Sequence, residues 1–162
     1  MALGSGNTDA VRIDMGLTME PVRTVDADGT QVWRVNGQLH RMDGPAIIYP
    51  DGHQVWVVND QYHRLDGPAV IRADGMQEWY VNNQLHRLDG PAYIGASGTQ
   101  MWQVNGEFHR LDGPAVIRAD GKQEWYVQGK SITDEVEAWM QARDVTWPWD
   151  DQTQMMFALT WG

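Results

Sequence analysis

The stretch QEWYVNNQLHRLDGPAYIGASG, Gln77 to Gly98, decides the fold, because nearly the same phrase occurs before and after it. Trp79 has counterparts at Trp33, Trp56, Trp102 and Trp125, each 23 residues from the next. His86 matches His40, His63 and His109, and Asp89-Gly90-Pro91-Ala92 matches the tetrads that begin at Asp43, Asp66 and Asp112. Self-similarity at a fixed period of this size marks an array in which each unit packs on its neighbours. Four full copies start at Gln31, Gln54, Gln77 and Gln100; Gln123 opens a fifth that stops early, and Pro21 to Gly29 forms a degenerate half-unit ahead of them.

Within a unit, Gln, Trp and Val recur at alternate places, the period of a strand with one buried face. Asn36-Gly37 and Asn105-Gly106 supply the positive φ of a tight hairpin turn, and Asp51-Gly52, Asp74-Gly75 and Asp120-Gly121 supply the return turn. The proline of each Asp-Gly-Pro has no N–H and holds the residue before it out of helical space, so the second strand begins only after it. Each unit is therefore expected to be a β-hairpin and the array a meandering antiparallel sheet.

The period, the aromatic strand, Asn-Gly, a histidine four places later and the closing Asp-Gly resemble the MORN repeat and its bacterial variants over residues 21–130. The usual His-Gly-x-Gly is replaced by His-Arg-x-Asp-Gly-Pro-Ala, a version that also resembles repeats in phage and giant-virus reading frames. The resemblance implies an all-β solenoid, a single curved sheet, that serves protein or membrane contacts and whose motif residues are structural. It further suggests a phage or bacterial accessory protein that binds and modulates a host factor.

Composition narrows the function classes. There are 22 acidic and 12 basic side chains, a net charge of −10, and no cysteine. Disulfide scaffolds, zinc ribbons and thiol chemistry are excluded, and an acidic chain is a poor ligand for nucleic acid phosphates. The longest strongly apolar run, Met155 to Leu159, is far too short to insert in a membrane, and Met1 to Thr8 does not read as a signal peptide, so a cytoplasmic protein is expected.

The recurring residues invite chemistry that geometry opposes. Equivalent positions in adjacent units lie two strands, about 9.5 Å, apart. Side chains related by near-translation cannot converge on one metal ion. Each histidine is instead expected to hydrogen-bond a turn carbonyl or an aspartate of the next unit, and His53, outside the pattern, to be a solvated turn residue. Asp43, Asp66, Asp89 and Asp112 share one environment, whereas an acid and a base need different ones. With Arg41 and its counterparts they are expected to tie successive turns together, or to cap backbone donors in an Asx-type turn. No hydrolase, P-loop or zinc-protease motif occurs. Neither an enzyme nor a cofactor or metal site is expected.

The tryptophan ladder reads as core, packed on Ile48, Ile71, Ile94 and Ile117. Specificity is then expected in the varying outward column Arg34, Val57, Tyr80, Gln103 and Tyr126, with Glu78, Met101 and Glu124 beside it. An exposed aromatic face that binds a glycan or small ligand is the alternative.

Repetition ends at Lys130. Ser131 to Arg143 reads as an amphipathic helix with a capping residue, facing the array through Ile132, Val136, Trp139 and Met140. From Gln154 to Trp161 apolar residues alternate, which favours a strand, although Asp150 could equally cap a helix. Residues 131–162 hold six acids against one base and four of the nine tryptophans. This α/β tail is either a cap on the open hairpin or a docking or self-association patch built on Trp147, Trp149 and Trp161. The division is a leader at 1–20, the array at 21–130 and the tail at 131–162. The expected role is a non-enzymatic protein-binding or self-assembly module.

Overall fold

The computed structural model describes residues 20–162, so the expected leader lies outside the described residues except for Glu20. The fold is mostly β: an 11-stranded antiparallel sheet of hairpin repeats, followed by helices α1 (Thr133–Arg143) and α2 (Asp151–Trp161). Strand order follows chain order from Val22–Val25 and Gln31–Val35 to Val116–Ile117 and Gln123–Glu124, each full unit contributing two strands to this path, and Gln38–Leu39, paired with Gln31–Val35, is the eleventh strand. One row across it runs Val32, Ile47, Val55, Val70, Glu78, Tyr93, Met101, Val116, Glu124; the next alternates glutamine and isoleucine from Gln31 to Gln123.

The turns follow from residue type. Asn36 and Gly37 both hold positive φ (52° and 84°), as the two-residue hairpin requires. Asp60 and Asn83 occupy the glycine place at φ 61° and 64°. Their side chains offset that cost: Asp60 Oδ1 accepts from Leu39 N and Asn83 Oδ1 from Tyr62 N, both at 2.7 Å, tying each hairpin to the one before. In the return turns Asp51, Asp74 and Asp120 accept from the backbone two residues on, at 2.9–3.0 Å.

The single continuous sheet is the first expectation that the structure modifies. At Trp56, Trp79, Trp102 and Trp125 the long strand is interrupted, and the residues beyond pair as separate two-stranded hairpins such as Val57–Val58 with Gln61–Tyr62. Trp56 is the pivot: its N–H donates to Ala69 O of the main sheet, and its carbonyl accepts from His63 N of the hairpin. The residue before Ala69 is Pro68, which offers no N–H to extend the ladder. The carbonyl of Val57 accepts from Arg41 N of the preceding unit instead. Pro45 stands likewise before Ala46, but there the strand runs on through Trp33 because Val22–Val25 pairs along its other edge, Arg23 with Trp33 and Val22 with Arg34.

The second modification concerns which column is buried. Val57 is 2% exposed and clusters with buried Val55 and Val70, on which Tyr80 packs, and Gln103, two units on, is 8% exposed. Trp33, Trp56, Trp79 and Trp102 are only half-buried, and Trp125 alone of the ladder is fully enclosed. The expected outward column is therefore largely inward, Arg34 excepted. A single-layer sheet has no second layer to cover five indoles, so four of them remain partly open. The repeating alanines opposite them, Ala46, Ala69, Ala92 and Ala115, have no accessible surface.

At the C-terminal end, Ile132, Val136 and Trp139 of the expected helical face are buried and Met140 packs against them. Ser131 is not its cap. Ile132 holds the N-cap place without a side-chain bond, and Thr133 Oγ1 accepts from Trp125 N at 3.0 Å, pinning α1 to the last repeat tryptophan. The expected strand over 154–161 is α2, a helix: Asp150 caps it by accepting from Thr153 N at 2.8 Å. Only Thr153 and Phe157, four apart, are buried along it, so the i, i+4 spacing outweighs the period-two apolar pattern. The tail is thus all-helical rather than α/β. Among the described residues no helix is long and apolar enough to cross a membrane.

Candidate functional site

The turn His-Arg-x-Asp-Gly-Pro-Ala builds one clasp per unit. The guanidinium of Arg41 lies over the Trp33 ring at 4.2 Å, with Arg64 on Trp56 at 4.0 Å, Arg87 on Trp79 at 4.2 Å and Arg110 on Trp102 at 3.8 Å. Each is also held within its own turn: Arg64 Nε donates to Asp66 Oδ1 at 2.8 Å and Nη1 to Pro68 O at 3.2 Å. The ion pair lies inside one turn and does not link successive turns. It holds the carboxyls of Asp43, Asp66 and Asp89 below the usual aspartate range, chiefly through the arginine hydrogen bond and then its charge. The glycine between aspartate and proline gives the guanidinium room, since a Cβ on Gly67 would lie 3.0 Å from Arg64 Cζ.

The histidines link one unit to the next, but through asparagine and not through a carbonyl or aspartate. The Nδ1 atoms of His40, His63 and His86 lie 2.8–2.9 Å from Oδ1 of Asn59, Asn82 and Asn105. Gln128 stands at the fourth such place, and its backbone N–H donates to His109 Nδ1 at 3.1 Å. His53 is not a solvated turn residue: it stacks on Tyr49 with centroids 4.7 Å apart, and burial, then Arg72, pushes its pKa down. Among the described residues no three histidine, aspartate or glutamate side chains gather where a metal ion could sit.

Between successive clasps lie open grooves. One, of about 610 Å³, runs from Arg64, Leu65 and Asp66 to Trp79, His86 and Leu88; its neighbours on either side enclose about 570 and 600 Å³. A fourth, of about 500 Å³, meets Glu20, Trp33 and Met42 at the first clasp. The apolar residue in the middle of each turn stands at the groove rim, with Met42 76% exposed, Leu65 81% and Leu88 80%. Sequence reasoning passed over these residues. The available signal was a large apolar side chain recurring in an otherwise polar turn, where no strand or helix period accounts for it.

The proposed binding column does not form this surface. Arg34 is exposed and donates to Gly37 O at 3.3 Å. Tyr80 packs on Tyr62 with centroids 5.3 Å apart, Tyr126 on Phe108 at 5.1 Å, and Gln103 is buried. Glu78 lies half-buried in the row between Val70 and Tyr93; desolvation pushes its carboxyl pKa up, with Arg72 opposing. Glu124 is buried and paired with Arg118 at 3.0 Å and Lys122 at 3.1 Å, and the Arg118 hydrogen bond leads in holding its pKa down. Trp147, Trp149 and Trp161 pack on the end core, where Trp161 meets Trp139 edge-on at 5.6 Å.

This is a hairpin-repeat protein. No protein-family model and no curated protein matches it. The repeat array thus offers one type of surface several times over: a half-open indole backed by a guanidinium, a rim leucine or methionine, and an exposed carboxylate.

Proposed function

We propose that the chain is a non-enzymatic protein-binding module and that the rim of Met42, Leu65 and Leu88 is its contact surface. One observation carries the reading. Three large apolar side chains at one place in consecutive units stand more than three-quarters exposed beside grooves with tryptophan among their linings. A row of this kind is a mark of association. The MORN-like character of the units agrees with a contact scaffold, and an accessory role toward a host factor rests on that resemblance alone. Affinity capture with the full chain and with Leu65→Asp/Leu88→Asp tests the reading. A partner retained by the first and lost from the second is expected; capture that is absent, or the same for both, would overturn it.

The half-open indoles favour a second reading, stacking of a glycan or small ligand in the grooves. Each guanidinium already occupies one face of its indole. A sugar would have to use the remaining face, and tryptophan fluorescence unchanged across a glycan panel would remove this reading.

A further inference from the structure

Among the described residues, three copies of the clasp surface stand open, and the fourth is filled by the chain itself. Leu111, the counterpart of Leu65 and Leu88, packs against the end core, and Gly162 after α2 approaches so closely that a Cβ on it would meet Leu111 Cδ1 at 3.4 Å. Trp147 lies against the same turn: its Nε1 would be 2.9 Å from a Cβ on Gly113. Gly113 and Pro114 are buried, whereas the equivalent glycines and prolines of the other three copies are half-buried. Even the carboxylate is affected, Asp112 being 56% exposed against 80–84% for Asp43, Asp66 and Asp89. The internal segment thus covers leucine, glycine, proline and aspartate together.

We propose that the copies at Met42, Leu65 and Leu88 dock a tryptophan-bearing, basic apolar segment of a partner protein, seated as Trp147 and the end of α2 are seated on Leu111 and Gly113. The proposal rests on the reading of the array as a protein-binding module and names what that module takes. The open surface is continuous with the internal interface and repeats its components in register. Neighbouring copies are about 9.5 Å apart. That is close to the ~10.5 Å between positions i and i+7 of a helix, so one helical segment reaches two copies.

Charge selects the partner. Within each ion pair the arginine side chain is only 21–23% exposed beneath the turn, whereas Asp43, Asp66 and Asp89 are 80–84% exposed, so the outward face of each clasp is carboxylate. The chain's own tail is acidic and stays on the fourth copy because it is covalently tethered there, at high effective concentration. A second copy, itself at −10, meets repulsion. A free segment with lysine or arginine beside its tryptophan meets attraction.

Two synthetic peptides provide the test: residues 145–162 as they stand, and the same segment with Asp151→Lys and Gln152→Lys, exposed places that leave the Asp150 cap intact. Both are titrated into the full chain and into Leu65→Asp/Leu88→Asp, with the thermal midpoint of each recorded. The lysine peptide is expected to bind at least about fivefold more tightly at low salt, the margin shrinking as salt screens it. Binding is expected to fall at least tenfold in the double variant at an unchanged midpoint. Amide shifts at Leu65 and Leu88 in the wild-type chain locate the site independently of any variant. No binding at millimolar peptide, or binding indifferent to the leucines, would overturn the proposal. If the leucine-dependent event is self-association of the chain, the occupant is a second copy and the proposal also falls. Leucine-dependent capture of a partner without peptide binding would sink this occupant and leave the module reading standing; loss of both would remove the two together.

Discussion

Trp149 lies over Trp125, ring centroids 6.4 Å apart and planes 24° from parallel. The four preceding repeat tryptophans carry a guanidinium at 3.8–4.2 Å, but the fifth unit ends at Lys130, before its arginine turn. An indole from the tail takes over the covering role. It also brings Phe157 and Trp139 with it, at 4.8 and 5.7 Å, so the end of the array becomes a closed aromatic core.

Trp149→Ala should therefore be among the most destabilising substitutions in the chain, costing roughly 3 kcal/mol through lost burial and a cavity against Trp125 and Phe157. Urea unfolding measures it. Trp147→Ala, which uncovers Gly113 but leaves that stack, should cost less.

The clasp has its own signature. Arg64→Lys removes the planar stack on Trp56 and one of two directed hydrogen bonds, and should cost about 1 kcal/mol. Gly67→Ala reaches the same end by another route, because its methyl group displaces the guanidinium from 3.0 Å away. Both should shift Trp56 emission, and a double-mutant cycle between Arg64→Lys and Gly67→Ala should be clearly non-additive.

His86→Ala breaks the link to Asn105 and should destabilise by about 1 kcal/mol. Asp89→Asn should cost less than His86→Ala, since its carboxylate is largely exposed and its ion pair with Arg87 is screened by solvent. A comparable loss for the two in thermal unfolding would contradict this ranking.

Glu78 and Glu124 should act oppositely as pH changes. Burial raises the folded pKa of Glu78, so its contribution favours folding below the ordinary glutamate value and is lost as pH rises through the raised value. Glu78→Gln should consequently stabilise the protein at neutral pH and have little effect in acid. Glu124, its pKa lowered first by Arg118, contributes stability above the ordinary value that is lost as pH falls through the depressed one. Glu124→Gln should destabilise at neutral pH, and chemical denaturation across pH 3–8 follows both.

Local features were legible wherever one residue type answers one backbone demand. Asn36-Gly37 announces its turn because two successive positive φ values favour these residues, and Asp51 announces the Asx turn at His53. The α1 face from Ile132 to Met140 was equally readable by its spacing. Over residues 154–161 apolar side chains fit both a period of two and one face of a helix. The Asp150 cap and the burial of Phe157 decide for the helix.

By itself, the sequence determined the repeat, its period, the hairpin turns and the antiparallel order, since these depend on contacts between neighbours along the chain. Tertiary structure alone decided which face is enclosed, because alternation defines two faces without saying which one finds cover. The half-open indoles under their arginines, and the tail that covers Leu111 while Met42, Leu65 and Leu88 stay exposed, are outcomes of that choice. A 23-residue period makes the four turns equivalent, and only packing against the last of them makes them different.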